Sequence, residues 1–109
     1  MAFVRRIAVL GGFLLPLALA PAWGQGNDPS FRLTNETAKI INQVHVSSSV
    51  EAAWGEDRLG SGTIKPEATA AIRVPPGHCV NDIRVVFADG SAAEQRQVNT
   101  CTTKDVTFR

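Results

Sequence analysis

The stretch Asp82-Ile-Arg-Val-Val-Phe-Ala88, followed at once by Asp89-Gly90, decides the fold. Ile83, Val85 and Phe87 fall on one side of an extended chain and Arg84 and Val86 on the other, which is the alternation of a half-buried strand. Asp89-Gly90 then predicts a hairpin turn, because both residue types tolerate positive φ. The return run, Ala93 to Val98, is polar, as expected of an edge or half-exposed strand.

Working outward from this hairpin, the same period recurs. Ala70, Ile72 and Val74 alternate with Ala71 and Arg73 until Pro75-Pro76-Gly77 stops the run. A weak strand is expected over Ser61 to Lys65, turned by Pro66-Glu67. In Ile40 to Ser47, Val44 and Val46 point inward and His45 outward, while Asn42 breaks the alternation and predicts a bulge. Phe31 to Thr34 opens the series, and Val106 with Phe108 closes it. No apolar stripe of helical period is present, so six or seven strands at about ten-residue spacing predict an all-β domain over residues 31–109. The expected architecture is a single small immunoglobulin-like β-sandwich, with a small open barrel as the alternative.

The chain opens on Met-Ala-Phe-Val-Arg-Arg, an apolar run from Ile7 to Ala20, and Pro-Ala-Trp-Gly-Gln, the order of a cleavable signal peptide. Fourteen apolar residues interrupted by Gly11, Gly12 and Pro16 fall short of the roughly 20 that a spanning helix needs, so no stable membrane anchor is expected. Ala22 and Gly24 are small enough for the cleavage pockets, which places the cut before Gln25, whereas a cut after Ala20 would leave Pro21 next to the bond. Arg5-Arg6 raises the twin-arginine route, but its flanks do not extend that pattern. No cysteine lies near the cut to carry a lipid. Residues 25–30, Gln-Gly-Asn-Asp-Pro-Ser, read as a polar, disordered tether.

Loss of residues 1–24 removes Arg5 and Arg6 but none of the ten acidic residues, which takes the formal charge from +1 to −1. A nearly neutral chain has no electrostatic attraction to nucleic acid or anionic membrane. Cys79 and Cys101 remain, and in an oxidising compartment they are expected to pair as a disulfide.

The one long connection, Ser48 to Gly60, holds Glu51, Trp54, Gly55, Glu56, Asp57 and Leu59, and Trp54 is the only tryptophan after Trp23. Structurally, Trp54 is expected to fold back as a lid over one end of the domain, Gly55 and Gly60 to take unusual backbone angles, and Asp57 to tie the loop by accepting backbone N–H groups. Functionally, the carboxylates of Glu51, Glu56 and Asp57 are the weak candidates for a Ca²⁺ site, at a spacing that fits no EF-hand. His78 beside Cys79 invites a thiol nucleophile, yet neighbours on an extended chain point to opposite sides. His45 is the other histidine, and two histidines with two paired cysteines make a poor zinc site. Arg32, Arg73 and Arg84 face outward and would form a basic strip if their strands shared a sheet. Asn35-Glu-Thr37 fits a glycosylation sequon, relevant only in a eukaryotic source. Sugar stacking is left only Trp54, because Phe31, Phe87 and Phe108 serve the core. No phosphate loop, serine elbow or redox Cys-x-x-Cys is present, and no cofactor is implied.

Phe31-x-Leu33-x-Asn35-x-Thr37, the run Val44 to Ser49, Trp54-Gly-x-Asp57-x-Leu59-Gly60 and Cys79-x-x-Asp82-Ile-Arg-Val-Val-Phe-x-Asp89-Gly90 together resemble a family of small exported, mostly proteobacterial, β-domain proteins with no established function. The resemblance covers nearly all of the mature chain, and the tryptophan loop followed by the Cys-x-x-Asp strand is its most specific part. Ala38 stands where that family often has glycine, and Ser48 where it often has proline. The resemblance implies a periplasmic or secreted bacterial sandwich and transfers no catalytic residue. The expected function is a non-enzymatic binding or accessory module, monomeric, meeting a protein partner through the Trp54 loop or a sheet edge.

Overall fold

Runs that alternate in sequence become strands in the computed structural model, which describes residues 28–109. The six strands are β1 (Phe31–Asn35), β2 (Ile41–Ser48), β3 (Thr69–Ile72), β4 (Val80–Phe87), β5 (Ala92–Asn99) and β6 (Asp105–Phe108). They form two three-stranded sheets, ordered β3-β1-β6 and β2-β4-β5. All neighbours are antiparallel except β1 and β6, the first and last strands, which run parallel because the whole intervening chain serves as their crossover. The expected signal peptide, residues 1–24, and Gln25 to Asn27 lie outside the described residues.

The expected alternation is what builds the core. Phe31 and Leu33 of β1, Ile72 of β3, and Val106 and Phe108 of β6 meet Ile41, Val44 and Val46 of β2 and Ile83, Val85 and Phe87 of β4 in one apolar cluster fed by both sheets. Each aliphatic side chain fully withdrawn from water there contributes about 1.5–3 kcal/mol relative to exposure. The polar face of β5 leaves only Ala93 and Val98 packed against this cluster, as an edge strand requires.

Several local expectations are corrected. The strand expected over Ser61 to Lys65 is reduced to a single bridge, Ile64 opposite Ile41, which covers the free edge of β2. At the β4–β5 turn only Gly90 takes a positive φ, 89°, because the Asp89 carboxylate instead accepts the Ser91 N–H at 2.9 Å and its hydroxyl at 2.6 Å. The tether expected to be disordered over 25–30 gives way to docked chain by Asp28: Pro29 is fully buried, and the Ser30 hydroxyl accepts from the Val74 N–H at 2.9 Å. The bulge expected at Asn42 is present, as a register shift between Ile41 and Gln43.

Cys79 and Cys101 form the disulfide, with Cα atoms 5.2 Å apart. They flank the open end of the β4–β5 hairpin, where Val80 pairs with Asn99 and the Thr100 N–H donates to Cys79 O. The bond therefore closes a hairpin at the end its turn does not hold.

Candidate functional site

Three side-chain rows cross the outer face of the β2-β4-β5 sheet: Gln43, His45 and Ser47 of β2; Asp82, Arg84 and Val86 of β4; Glu94 and Arg96 of β5. The chain from Ser49 to Gly60 turns back over this sheet and is fastened to β2 point by point. Ser47 Oγ donates to Ala53 O at 2.8 Å, His45 Nδ1 donates to Gly55 O at 2.8 Å, and the Arg58 N–H donates to Val44 O. Asp57 Oδ1 accepts from the backbone N–H groups of both Val44 and Leu59, at 3.0 and 2.9 Å, which is the tie expected of it. Gly60 takes a positive φ of 62°, whereas Gly55 takes no positive φ.

So held, Trp54 folds back onto the outer side of this sheet, beside Ser47, Asp82 and Arg96. It lies over the Arg96 guanidinium, 5.5 Å from ring centroid to Cζ, in a cation–π pair. Arg96 is fixed in turn by Glu94 Oε1, which accepts from Nε and Nη2, and by Asp82 Oδ2, which accepts from Nη1 at 3.0 Å. Glu94 Oε2 accepts from Arg84 at 2.7 Å. Beneath them the Asp82 side chain is 7% exposed, and its Oδ1 accepts from Ser49 Oγ at 2.7 Å and the Gln97 N–H at 2.9 Å. The hydrogen bonds from Ser49 and Gln97, with Arg96 beside them, hold this carboxyl below the usual carboxylate range. A bulge in β5 makes the arrangement possible: Asn81 pairs with Val98 and Ile83 with Gln95, so Arg96 and Gln97 both oppose Asp82, and Gln97 takes a φ of 57°.

The space enclosed by Ser47, Glu51, Ala52, Ala53, Trp54, Asp82 and Arg96 is about 40 Å³, room for a few waters and far below what an organic ligand fills. What the site offers is therefore a surface. Ser49 N–H donates to Val80 O, which brings exposed Val50 and Val80 to the same end of the sheet, beside the loop.

The chain matches no family model, no curated protein and no solved structure. The geometry must speak for itself. Glu51, Glu56 and Asp57 are not gathered: Asp57 holds backbone, Glu56 sits 3.4 Å from Arg58, and among the described residues no three His, Cys, Asp or Glu side chains converge on a metal position. Cys79 is bonded to Cys101, and His45 is spent on Gly55 and Gln43. The basic strip does not form, because Arg32 lies in the sheet of β1, paired with Asp105, and Arg84 in the other sheet. The sequon residue Asn35 is wholly buried; its amide donates to Lys39 O and Ile64 O while Oδ1 accepts from Thr37, so it braces a turn. Sequence reasoning missed Arg96, Asp82 and Glu94 as a unit. The polarity of β5 was the visible signal, but pairing across strands depends on a register that no single run contains. Among the described residues, no helix is long and apolar enough to cross a membrane.

Proposed function

We propose that this chain is an exported, non-enzymatic binding or accessory module that meets a protein partner through the Trp54 loop. The observation that carries the reading is the fastening of that loop: five hydrogen bonds tie Ala53 to Leu59, four of them to β2, and Arg96 backs the indole. A surface held this way loses little conformational entropy on docking. Trp and Arg are the residue types most often responsible for binding energy at protein interfaces. Val50 and Val80, two of the three large apolar residues left exposed among those described, extend the patch.

In this reading the chain is cut before Gln25 and works as a monomer in the periplasm or outside the cell, like the exported proteins it resembles. Its two sheets pack as an immunoglobulin-like sandwich, a closure supported by the shared core and by Gln95 of β5 donating to Thr107 O of β6 across the sheets. A photo-crosslinking residue at Ala53, exposed beside the indole, should form an adduct in cells that the same group at Thr69 does not. Trp54→Ala should abolish the adduct while leaving the melting temperature within a few degrees. Equal adducts from both positions, or full complementation of a deletion phenotype by Trp54→Ala, would overturn the reading.

A further inference from the structure

Among the described residues Arg32, Arg84 and Arg96 each pair with a carboxylate at 3.0 Å or less, Arg109 and Arg58 make only longer contacts of 3.3 and 3.4 Å, and Arg73 makes none. Arg73 makes no ion pair and no side-chain hydrogen bond among the described residues. The only ion pair of Arg58 is a 3.4 Å contact with Glu56, whose side chain is 79% exposed, and its Nε is the one buried side-chain polar atom of the described residues without a partner. A contact of that length to a solvated carboxylate holds a guanidinium weakly. These two arginines, far apart in sequence, line the same groove. It measures about 690 Å³ and is completed by Asp28, Ser30, Val74, Pro75 and Pro76. It shares no lining residue with the small cavity under Trp54.

We propose that this groove binds a carboxylate borne on an apolar body, with Arg58 and Arg73 as its anion clamp and Val74, Pro75 and Pro76 as its apolar wall. The clamp follows from donor chemistry, since a guanidinium presents a planar fork that matches a carboxylate. The charge sets the class of anion. Asp28 stays ionised in the groove, its carboxyl held below the usual range by the N–H and hydroxyl of Ser30 with Lys104 and Arg73 nearby, so with Lys104 beside Asp28 and Glu56 beside Arg58 the groove and its rim carry three positive charges and two negative. A net single positive charge suits a monoanion better than a phosphate dianion. The wall suits an aliphatic body, because Pro75 and Pro76 have no N–H to offer and the Val74 N–H is already donated to Ser30. The same chemistry is carried by a free short-chain acid and by the C-terminus of a peptide ending in an apolar residue.

The test titrates the purified, disulfide-intact protein with hexanoate, N-acetyl-leucine, their neutral amides and inorganic phosphate, read by calorimetry and by the arginine Nε–Hε resonances. The expected result is saturable binding of at least one carboxylate, at least about tenfold tighter than its amide, with the Arg58 and Arg73 signals shifting. Binding of hexanoate alone assigns a free acid, and of N-acetyl-leucine alone a peptide end. Arg73→Gln, at an exposed position that leaves the fold intact, should weaken binding by about tenfold, whereas Trp54→Ala should leave it unchanged. No saturation by either carboxylate at 10 mM (about 10,000-fold weaker than a micromolar site) would overturn the proposal. So would equal binding of acid and amide, tighter binding of phosphate, or wild-type affinity in Arg73→Gln.

Discussion

Asn35 shows how much a single buried polar residue decides. Its side chain has no exposure and every donor and acceptor is used, so it joins the end of β1 to Lys39 and Ile64. Asn35→Ala should cost about 2–3 kcal/mol in urea unfolding, because the carbonyls of Lys39 and Ile64 would be left unpaired as well. A sequon pattern was all that the sequence offered here, and a residue this enclosed is beyond the reach of a glycosylating enzyme once the chain has folded. Asp82 is the second such residue. Its folded carboxyl titrates below its unfolded value of about 4, so its contribution is present above that pH and is lost as the pH falls through the folded value. Asp28, Asp89 and Glu94 are shifted in the same direction, though their exposure weakens the effect. The unfolding midpoint should therefore be flat between pH 7 and about 5 and fall below about pH 4, and Asp82→Asn should flatten part of that fall.

At the scale of elements, the fate of β2 matters most. As the outer strand of its sheet it would present free N–H and C=O groups, a template for aggregation. Ile64 and the Asp57-Arg58 segment occupy that edge instead. Asp57→Ala should destabilise the domain by about 1–2 kcal/mol and speed amide exchange at Val44, whereas Asp57→Asn, which keeps an acceptor oxygen, should retain most of the protection. A measurement showing unchanged exchange at Val44 in Asp57→Ala would remove this role. The opposite edge, β5, is guarded differently, by charged Glu94 and Arg96 and by the bulge at Gln97. Its polarity was legible along the chain. The bulge was not, since it exists only relative to the register of β4.

For the molecule as a whole, one disulfide supports a small core. Cys79 and Cys101 are 22 residues apart, and closing a loop of that size stabilises the fold by about 3 kcal/mol on the chain-entropy estimate. Replacing both with alanine should lower unfolding stability by about that amount and loosen the open end of the β4–β5 hairpin first, seen as faster amide exchange at Val80 and Thr100. Equal exchange in the two forms would place the benefit elsewhere.

Periodicity along the chain was enough to place the six strands, most of their inward apolar residues, the polar edge and the bulge at Asn42, because alternation of two is a local property of an extended backbone. Two cysteines in a chain whose sequence reads as that of an exported protein were enough to expect the bridge. Only the tertiary structure decided how the strands divide into two sheets, that β1 and β6 run parallel, and that Ser61 to Lys65 contributes a single bridge. It alone brought Trp54, Arg96, Asp82 and Glu94 together, and Arg58 with Arg73. Those neighbours are set by register and by how a loop folds back, which are relations between distant segments, and no run of residues carries them by itself.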